Sequence, residues 1–486
     1  MRKAFLFFLF VACISCSTEE ELPNILLIYV DDLGYGDLSS YNSNSRIHTP
    51  NIDHLAGEGI MFMDAHAPAA ICGPSRYGLL TGRYSWRKAD GLSNGTTFEN
   101  LRISRQRPTL ATMLKEKGYN TAQIGKWGLR HNYEDALKEG EEISGDLTFS
   151  SFDFPEKKLN GSSLVGFDYS WVMTWLSKDK GAKYAFENGL PHDPEFKDYD
   201  PHDWLPDATQ KAVEYLQAYA GKKDYTPFQI DRKRPFFLYW DPPTPHEPIV
   251  PNNQFSGTSE AGDYGDFVVE LDHEVGRILK ALDENGLSKN TLVIFSSDNG
   301  PESIAYSRVQ EYRHYSMGDW RGVKRDLYEG GTRVPFILRW PGKIQAGSVK
   351  DEPICLIDIF ASLAELSGYK LPENAGEDSQ SFLPLLLDQE YQVASPKPIV
   401  YHTHKGRFAL REGNMLYVDA ETGSQSKEPE WFYKERKVQA HGLSSELFDL
   451  SSDPQQLVNI AEENPEMVQE MKTGLEKIKA KKQIPQ

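Results

Sequence analysis

The feature that most restricts the fold is an uncharged run, Asn24-Ile25-Leu26-Leu27-Ile28-Tyr29-Val30, followed at once by Asp31-Asp32. A continuous apolar run of this length is typical of a strand buried on both faces of a mostly parallel sheet. A second such run, Thr291-Leu292-Val293-Ile294-Phe295-Ser296, leads into Asp298-Asn299. The two runs predict an α/β fold in which acidic side chains follow buried strands, at the edge where open α/β sheets place their ligands.

Segments with helical spacing alternate with further short apolar runs, as expected of a large α/β domain. The segment from Tyr264 to Asn285 carries one apolar helical face and ends at Asn285-Gly286. The other predicted helices span residues 109–118 and 207–220, and the other predicted strands span residues 120–124, 235–240 and 336–338. Residues 132–203 show no sustained periodicity, and we predict an irregular functional insertion there.

The sequence changes character after Leu366. A polar stretch rich in Pro and Gly precedes short strand-like runs at residues 408–410 and 415–417, and an amphipathic helix is predicted over residues 465–479. A chain of 486 residues exceeds the usual size of one domain. We therefore predict a main domain over residues 22–375 and a smaller C-terminal α+β subdomain with an antiparallel sheet over residues 376–486.

Residues 1–16 have the form of a signal peptide for export. Arg2 and Lys3 precede an apolar run from Ala4 to Ile14 that is too short to span a membrane. Cys16 resembles the lipidated cysteine of a bacterial lipoprotein, with simple secretion as the alternative. We predict an exported protein, periplasmic or attached to the outer membrane, that touches a membrane only through this anchor.

The formal net charge of −18 argues against binding to nucleic acid or to an anionic membrane surface. A polyanionic substrate would have to be met by a local basic pocket. Apart from the candidate anchor, the exported chain keeps only Cys72 and Cys355, which allows at most one internal disulfide. Cys355 lies in an apolar run, so two unpaired cysteines are favoured over a bridge between them.

Cys72 stands at the start of the sequence Cys72-Gly73-Pro74-Ser75-Arg76. Pro74 cannot lie inside a helix but suits its first turn, so the thiol is predicted at a helix N-terminus. The helix dipole and the charge of Arg76 favour an anion beside it. The alternative is a small buried structural cysteine.

Together with Leu80-Thr81-Gly82-Arg83, this block resembles the signature of the type I sulfatases of the alkaline phosphatase superfamily. The resemblance covers the chain from about Asn24 to its end. It implies an alkaline phosphatase-like fold, with a large mixed, mostly parallel sheet between layers of helices. It also implies that a formylglycine-generating enzyme or an anaerobic sulfatase-maturating enzyme converts Cys72 to formylglycine, the nucleophile. The nearest description is a bacterial arylsulfatase-like lipoprotein.

Adjacent carboxylates at a strand end repel each other unless a cation neutralises them. The resemblance implies that a metal ion is bound by five residues: Asp31, Asp32, Cys72, Asp298 and Asn299. Oxygen ligands suit a hard cation, and the absence of nearby Cys or His ligands in the two acidic motifs argues against zinc. The family most often uses calcium, and magnesium is the alternative.

The resemblance also assigns catalytic roles to Cys72, Arg76, Lys126, His246 and Lys324. The two lysines would contact the sulfate, and His246, held among prolines, would protonate the leaving alkoxide. Many family members have a histidine where this chain has Gly128, and that histidine helps to expel sulfate. His131 is the candidate replacement.

These observations predict a sulfuric ester hydrolase that removes sulfate from a sulfated carbohydrate. Three alternatives remain from the sequence: a phosphonate or phosphate monoester hydrolase of the same superfamily, a non-catalytic lipoprotein that binds sulfated glycans, and a structural envelope protein.

Overall fold

The computed structural model describes residues 21–88, 101–143, 149–154, 156–175, 183–193, 199–224, 227–388, 397–403 and 405–481. The predicted signal peptide at residues 1–16, with Cys16, lies outside these ranges. In the described ranges, every helix is too short or too polar to cross a membrane.

The described residues form sixteen strands. They are β1 Asn24–Val30, β2 Ile60–Phe62, β3 Ala65–His66, β4 Asn120–Lys126, β5 Tyr169–Trp175, β6 Lys183–Glu187, β7 Leu190–Pro191, β8 Phe236–Asp241, β9 Thr291–Ser297, β10 Phe336–Arg339, β11 Ser348–Lys350, β12 Ile354–Cys355, β13 Ile399–His402, β14 Phe408–Glu412, β15 Met415–Val418 and β16 Glu446–Asp449.

The α-helices alternate with these strands along the chain, as predicted for an α/β domain. They are α1 Pro50–Gly57, α2 Cys72–Thr81, α3 Leu110–Glu116, α4 Trp204–Tyr219, α5 Gly262–Glu284, α6 Ala305–Tyr312, α7 Glu329–Thr332, α8 Ile359–Leu366, α9 Leu383–Leu386, α10 Glu430–Arg436 and α11 Pro465–Ala480.

Ten strands form one large sheet in the order β11-β2-β10-β9-β1-β8-β4-β5-β6-β7. Its centre, from β9 to β5, is parallel throughout, whereas β10, β6 and β7 pair in antiparallel fashion with their neighbours. The prediction of a large mixed, mostly parallel sheet is therefore confirmed.

The central strand β1 shows why its sequence is apolar on both faces. Ile25, Leu27 and Tyr29 join a core that includes residues of α2, α3 and α8, whereas the alternate residues Leu26, Ile28 and Val30 join a core with α1, α4 and α5. All six side chains are inaccessible to solvent. Burying each aliphatic one contributes about 1.5–3 kcal/mol relative to exposure, so the helices on both faces fix the sheet.

The register of the parallel strands brings their carboxyl ends to one edge. Val30 of β1 lies opposite Ser297 of β9, and Gly125 of β4 lies opposite Asp241 of β8. Residues that directly follow β1, β9, β4 and β8 therefore meet at this edge, although they are far apart in sequence.

The insertion at residues 132–203 is more regular than predicted. It supplies β5, β6 and β7, which extend the large sheet at one side. The β5 sequence Tyr-Ser-Trp-Val-Met-Thr-Trp is rich in aromatic and β-branched residues, and this composition favours a strand. Hydrophobic periodicity did not predict these strands because β7, at the edge of the sheet, has only two residues, and β6 mixes charged with apolar residues.

A four-stranded antiparallel sheet, β13-β14-β15-β16, forms near the C-terminus, which confirms that part of the predicted fold. Met471 and Leu475 of α11 pack against it in a separate core. The domain boundary predicted between residues 375 and 376 stays a prediction.

Candidate active site

Four oxygen-bearing side chains meet at the carboxyl edge of β1 and β9. Asp31, Asp32, Asp298 and Asn299 are all 2% exposed or less. The backbone amide of Asp32 donates to Asp298 Oδ1 at 3.2 Å, and Asn299 Nδ2 donates to Asp32 Oδ1 at 2.7 Å. Asp32 has a φ of 64°, a conformation that costs a non-glycine residue stability and is concentrated at functional sites.

Two oxygens of this group are buried without a hydrogen-bond donor among the described residues, namely Asp31 Oδ1 and Asn299 Oδ1. Leaving a buried acceptor unsatisfied costs about 1–3 kcal/mol. Unpaired carboxylate and amide oxygens that converge in one place are what a hard divalent cation requires. The residues present therefore fit the metal that the sequence implies.

Cys72 begins α2 beside this group, as predicted. The preceding Ile71 is extended and its carbonyl accepts the amide of Ser75, so the helix starts at the thiol. Cys72 Sγ and carboxylate oxygens of Asp31 and Asp298 lie within 4.8 Å of one another. Cys72 and Cys355 are both free, and the alternative of a disulfide between them is not realised.

Arg76 lies one helical turn after Cys72 and is completely buried. Its Nε donates to Asp298 Oδ2 at 2.9 Å, and its Nη1 donates to the carbonyl of Lys126 at 3.0 Å. The guanidinium also lies 3.9 Å from Asp31 and 3.4 Å from Asp241. Arg76 therefore joins the helix to β1, β4, β8 and β9 and balances their carboxylates.

The two predicted lysines each face one of the adjacent aspartates. Lys126 Nζ forms an ion pair with Asp31, and Lys324 Nζ donates to Asp32 at 2.7 Å. Both lysines are nearly inaccessible to solvent. Arg76, Lys126 and Lys324 thus place three cationic side chains beside Asp31, Asp32 and Asp298, and a divalent cation would add positive charge suited to an anionic substrate.

These charges shift the protonation equilibria of the carboxylates in opposite directions. Burial opposes ionisation of Asp31, but Lys126 and His246 outweigh it and hold the pKa of this carboxyl well below its usual range. Burial and the nearby Asp31 raise the pKa of Asp298 to about 7. Asp31 is therefore held in its ionised form at this edge.

His246 reaches the same edge from the loop after β8. Its Nδ1 donates to the carbonyl of Glu247 at 2.7 Å, and its Nε2 lies 3.7 Å from Asp32 Oδ2. The fixed Nδ1 proton leaves Nε2 to carry the transferable one. The structure thus brings one His nitrogen and one Cys sulfur close to the carboxylates, so the absence of nearby Cys or His side chains that the two acidic motifs suggested does not hold.

A cavity of about 200 Å³ opens in front of Cys72. Its lining comprises Cys72, Gly73, Arg102, Lys126, Gly128, Arg130, His131, Tyr133, Met173, Thr174 and His246. Gly128 is exposed in it with a φ of 70°, and an added Cβ there would lie 3.0 Å from Arg76 Cδ. The turn that holds Gly128 is therefore built for glycine.

His131 lines this cavity, but burial and the charge of Arg130 lower its pKa to about 3. The ring is neutral at ordinary pH and is a weak proton acceptor. A role for His131 in place of the missing histidine stays a prediction, and its low basicity counts against it.

Sequence reasoning missed Asp241, which is completely buried beside Arg76. Asp241 Oδ1 accepts a hydrogen bond from Gln123 Nε2 at 2.8 Å, and its backbone passes so close to Gly125 that a Cβ there would lie 2.2 Å from the Asp241 carbonyl oxygen. Its position in the sequence could have revealed it, because Asp241 is the last residue of a buried strand and the other acids of the site directly follow buried strands.

A model of the family described as "Sulfatase" matches residues 23–369, and a model described as "N-sulphoglucosamine sulphohydrolase, C-terminal" matches residues 318–481. The chain belongs to the sulfatase family. It is a sulfuric ester hydrolase, and the family's chemistry implies a metal ion and a formylglycine at the site described above.

This sulfatase is 34% identical to an N-acetylgalactosamine-6-O-sulfatase of Bacteroides thetaiotaomicron, over 94% of this chain and 93% of the relative. It is 33% identical to the N-acetylgalactosamine-6-sulfatase of Mus musculus, over 80% and 71% of the two chains. A solved structure from work on glycosaminoglycan metabolism by B. thetaiotaomicron is 32% identical, covers 95% of this chain and 100% of its own, and superposes with a TM-score of 0.76.

Proposed function

We propose that this sulfatase removes the 6-O-sulfate of a sulfated N-acetylgalactosamine residue. The observation that carries the proposal is the 34% identity to a relative named for that reaction, which extends over nearly the whole of both chains. A cavity of about 200 Å³ supports it. That volume is smaller than the 300–1,000 Å³ of pockets for drug-sized ligands, so it suits a single sugar residue at a chain end.

We further propose that Ca²⁺ occupies the site, held by Asp31, Asp32, Asp298 and Asn299 with the side chain at position 72. When bound, the cation would supply positive charge for the sulfate oxygens and for the nucleophile. The unsatisfied buried oxygens of Asp31 and Asn299 support the proposal. A nitrogen of His246 also lies near Asp31 and Asp32 and would suit a softer metal. The choice of calcium is therefore inferred from the family.

Lys126 and Lys324 are proposed to bind the sulfate. Each is held at the site by an aspartate, and neither is exposed enough to be an ordinary surface lysine. Ammonium groups in a water-poor pocket stabilise the charge that moves onto the sulfate oxygens in the transition state. Arg76 is proposed to position the side chain at residue 72, because it lies one helical turn after it and ties α2 to Asp298.

Cys72 is proposed to act as its formylglycine derivative, in the hydrated form. One hydroxyl of that hydrate attacks sulfur, and the S–O bond to the sugar breaks. Loss of the proton on the second hydroxyl then breaks the C–O bond to sulfate and restores the aldehyde. A serine could complete the first step but not the second.

His246 is proposed to be the general acid for the leaving sugar oxygen. Its Nδ1 proton is fixed by the carbonyl of Glu247, and its Nε2 faces Asp32 Oδ2 at 3.7 Å. The ring is partly exposed toward the cavity, so a sugar oxygen can reach it.

We also propose that the chain is exported and lipid-anchored through Cys16, and that a formylglycine-generating or anaerobic sulfatase-maturating enzyme acts on it. Residues 1–16 and the sequence around Cys72 support these proposals.

The test is sulfate release from N-acetylgalactosamine 6-sulfate, from its 4-sulfate isomer, from an aryl sulfate and from an aryl phosphate. We expect preferred turnover of the 6-sulfate. Lys324→Met should lower kcat/KM by about 100-fold or more, since a charge-assisted contact in the transition state is lost. Lys289→Met, at an exposed position, is the matched control. Preferred turnover of the 4-sulfate or of the phosphate ester would reject the proposal.

A further inference from the structure

A row of alternating charges leads from the buried aspartates to the protein surface on the Lys324 side of the site. Lys324 Nζ lies 2.7 Å from Asp32 and 3.8 Å from Glu302, whose carboxylate in turn binds Arg325. Side-chain exposure rises along the row, from 2% at Asp32 and Lys324 to 19% at Glu302 and 31% at Arg325. Asp32 and Lys324 have proposed roles in catalysis, whereas Glu302 and Arg325 do not.

Two backbone hydrogen bonds fix the turn that carries these cations. The amide of Lys324 donates to the carbonyl of Pro301 at 2.8 Å, in the loop after β9. The amide of Arg325 donates to the carbonyl of Ala70 at 2.7 Å, two residues before Cys72. The turn is thereby attached both to the loop that follows β9 and to the segment that leads into α2.

The backbone at Arg325 has an unusual conformation for an arginine. Its φ is 77°, in the left-handed region that residues with a side chain rarely adopt. Lys324 is buried at the aspartates and the next residue reaches the surface, so the turn places one cation inside the site and one at its mouth. Strain of this kind is concentrated at ligand sites, where the surrounding structure holds it in place.

Arg325 is close enough to the reacting centre for their charges to interact. Its hydrogen bonds to Glu302 are the main cause of its raised pKa; burial opposes this shift, and Asp32 and the Cys72 side chain add to it. Neither Glu302 nor Arg325 is among the described residues that line the cavity of about 200 Å³. Arg325 therefore borders the reacting centre from a different side than that cavity.

Glu302 holds the guanidinium group of Arg325 in a fixed plane. Arg325 Nη1 donates to Glu302 Oε1 at 2.6 Å, and Nη2 donates to Oε2 at 2.7 Å. Against the effect of burial, Arg325 and Lys324 lower the pKa of Glu302 to about 2, so this carboxyl is ionised at ordinary pH. The pair has no net charge and does not favour a second anionic group. A guanidinium group has further N–H donors beyond the two used here, and oriented donors beside a carboxylate suit the hydroxyl groups of a sugar.

We propose that Arg325 is a specificity-determining residue that donates hydrogen bonds to hydroxyl groups of the sugar that carries the scissile sulfate, and that Glu302 is the positioning residue that orients it. The inference rests on the proposed function for the identity of that sugar. A sulfate ester whose leaving group carries no further hydroxyl cannot use these contacts.

The experiment compares N-acetylgalactosamine 6-sulfate with 4-nitrophenyl sulfate, whose leaving group has no hydroxyl besides the reacting oxygen. Arg325→Ala should lower kcat/KM for the sugar sulfate by about 10- to 100-fold, mainly through KM, and should change kcat/KM for the aryl sulfate by less than about threefold. Arg325→Lys should fall between, because it keeps a cationic donor and loses the planar fork. Glu302→Gln should shift the selectivity in the same direction, because the guanidinium group loses its charged partner.

Two further variants separate recognition from folding. Arg325→Gly removes the side chain at a φ that glycine adopts freely, so it should fold and show the same loss of selectivity as Arg325→Ala. The matched control is Arg313→Ala, which removes an exposed arginine that also has a left-handed backbone, with a φ of 53°, and pairs with Glu435 at 3.4 Å. It should leave the selectivity unchanged.

An equal loss on both substrates in Arg325→Ala would overturn the inference, since it would show that the turn serves only to hold Lys324. A folded Arg325→Gly variant with the selectivity of the wild type would overturn it as well. A wild type that releases sulfate from 4-nitrophenyl sulfate and none from N-acetylgalactosamine 6-sulfate would instead reject the proposed function.

Discussion

Replacing Arg76 with methionine should destabilise the protein strongly. The guanidinium is completely buried, donates to Asp298 at 2.9 Å and to the carbonyl of Lys126 at 3.0 Å, and lies within 4 Å of Asp31 and Asp241. Methionine keeps much of the volume but leaves these carboxylates without their shared cation. Removing one partner of a buried ion pair costs about 3–5 kcal/mol, which is a large part of the 5–15 kcal/mol that stabilises a typical domain.

The assay is thermal unfolding followed by circular dichroism in the presence of a chelator, so that no added cation replaces the lost charge. A loss of about 3–5 kcal/mol corresponds to a fall in melting temperature of about 4–7 °C for a domain of roughly 350 residues. The control is Arg46→Met, whose ion pair with Glu260 is exposed and should be worth at most about 1 kcal/mol. An Arg76→Met variant that melts within about 2 °C of the control would refute the claim that Arg76 balances buried charge.

Three further predictions concern pH, the glycine turn and the metal. Burial lowers the pKa of His402 from 6.5 to about 4, so the unfolded chain binds more protons than the folded one between these two pH values. The free energy of unfolding should therefore fall by about 3 kcal/mol as the pH drops through this window. In urea titrations, His402→Gln should abolish most of that fall. Gly128→Ala should lower both the melting temperature and the rate of sulfate release, because the added Cβ would crowd Arg76. The control is Gly118→Ala, at a φ of 90° with open space around the position; it should lower the melting temperature only by the cost of the backbone conformation. Calcium at about 100 times its Kd for the wild type should stabilise the chelator-treated enzyme by about 2.7 kcal/mol. A similar gain in Asp298→Ala at the same calcium concentration would show that Asp298 is not a ligand.

The strands and the acidic residues that follow them were predictable because both signals are local. The run before Asp31 has no charged residue, and a parallel sheet is the fold that buries both of its faces. The start of α2 at Cys72 was predictable for the same reason, since Pro74 restricts its own neighbourhood.

The pairing of charges was not predictable, because it depends on the register between distant strands. Arg76 and Asp298 are 222 positions apart, and Lys324 and Asp32 are 292 positions apart. Asp241 was not predicted as a site residue because a single acidic residue at the end of a strand is typical of an ordinary turn. The strands β5, β6 and β7 were not predicted because they lie in a segment without sustained periodicity, and β7, at the edge of the sheet, has only two residues.

The most direct test of the central claim is the intact mass of the Cys72→Ser variant after incubation with a sulfated substrate, measured beside the matured wild type. The account predicts that the wild type carries an aldehyde at position 72 and turns over repeatedly, whereas the serine variant gains the mass of one sulfonate group and stops. Sustained turnover by the serine variant, or full activity of a wild type that retains the Cys72 thiol, would contradict it.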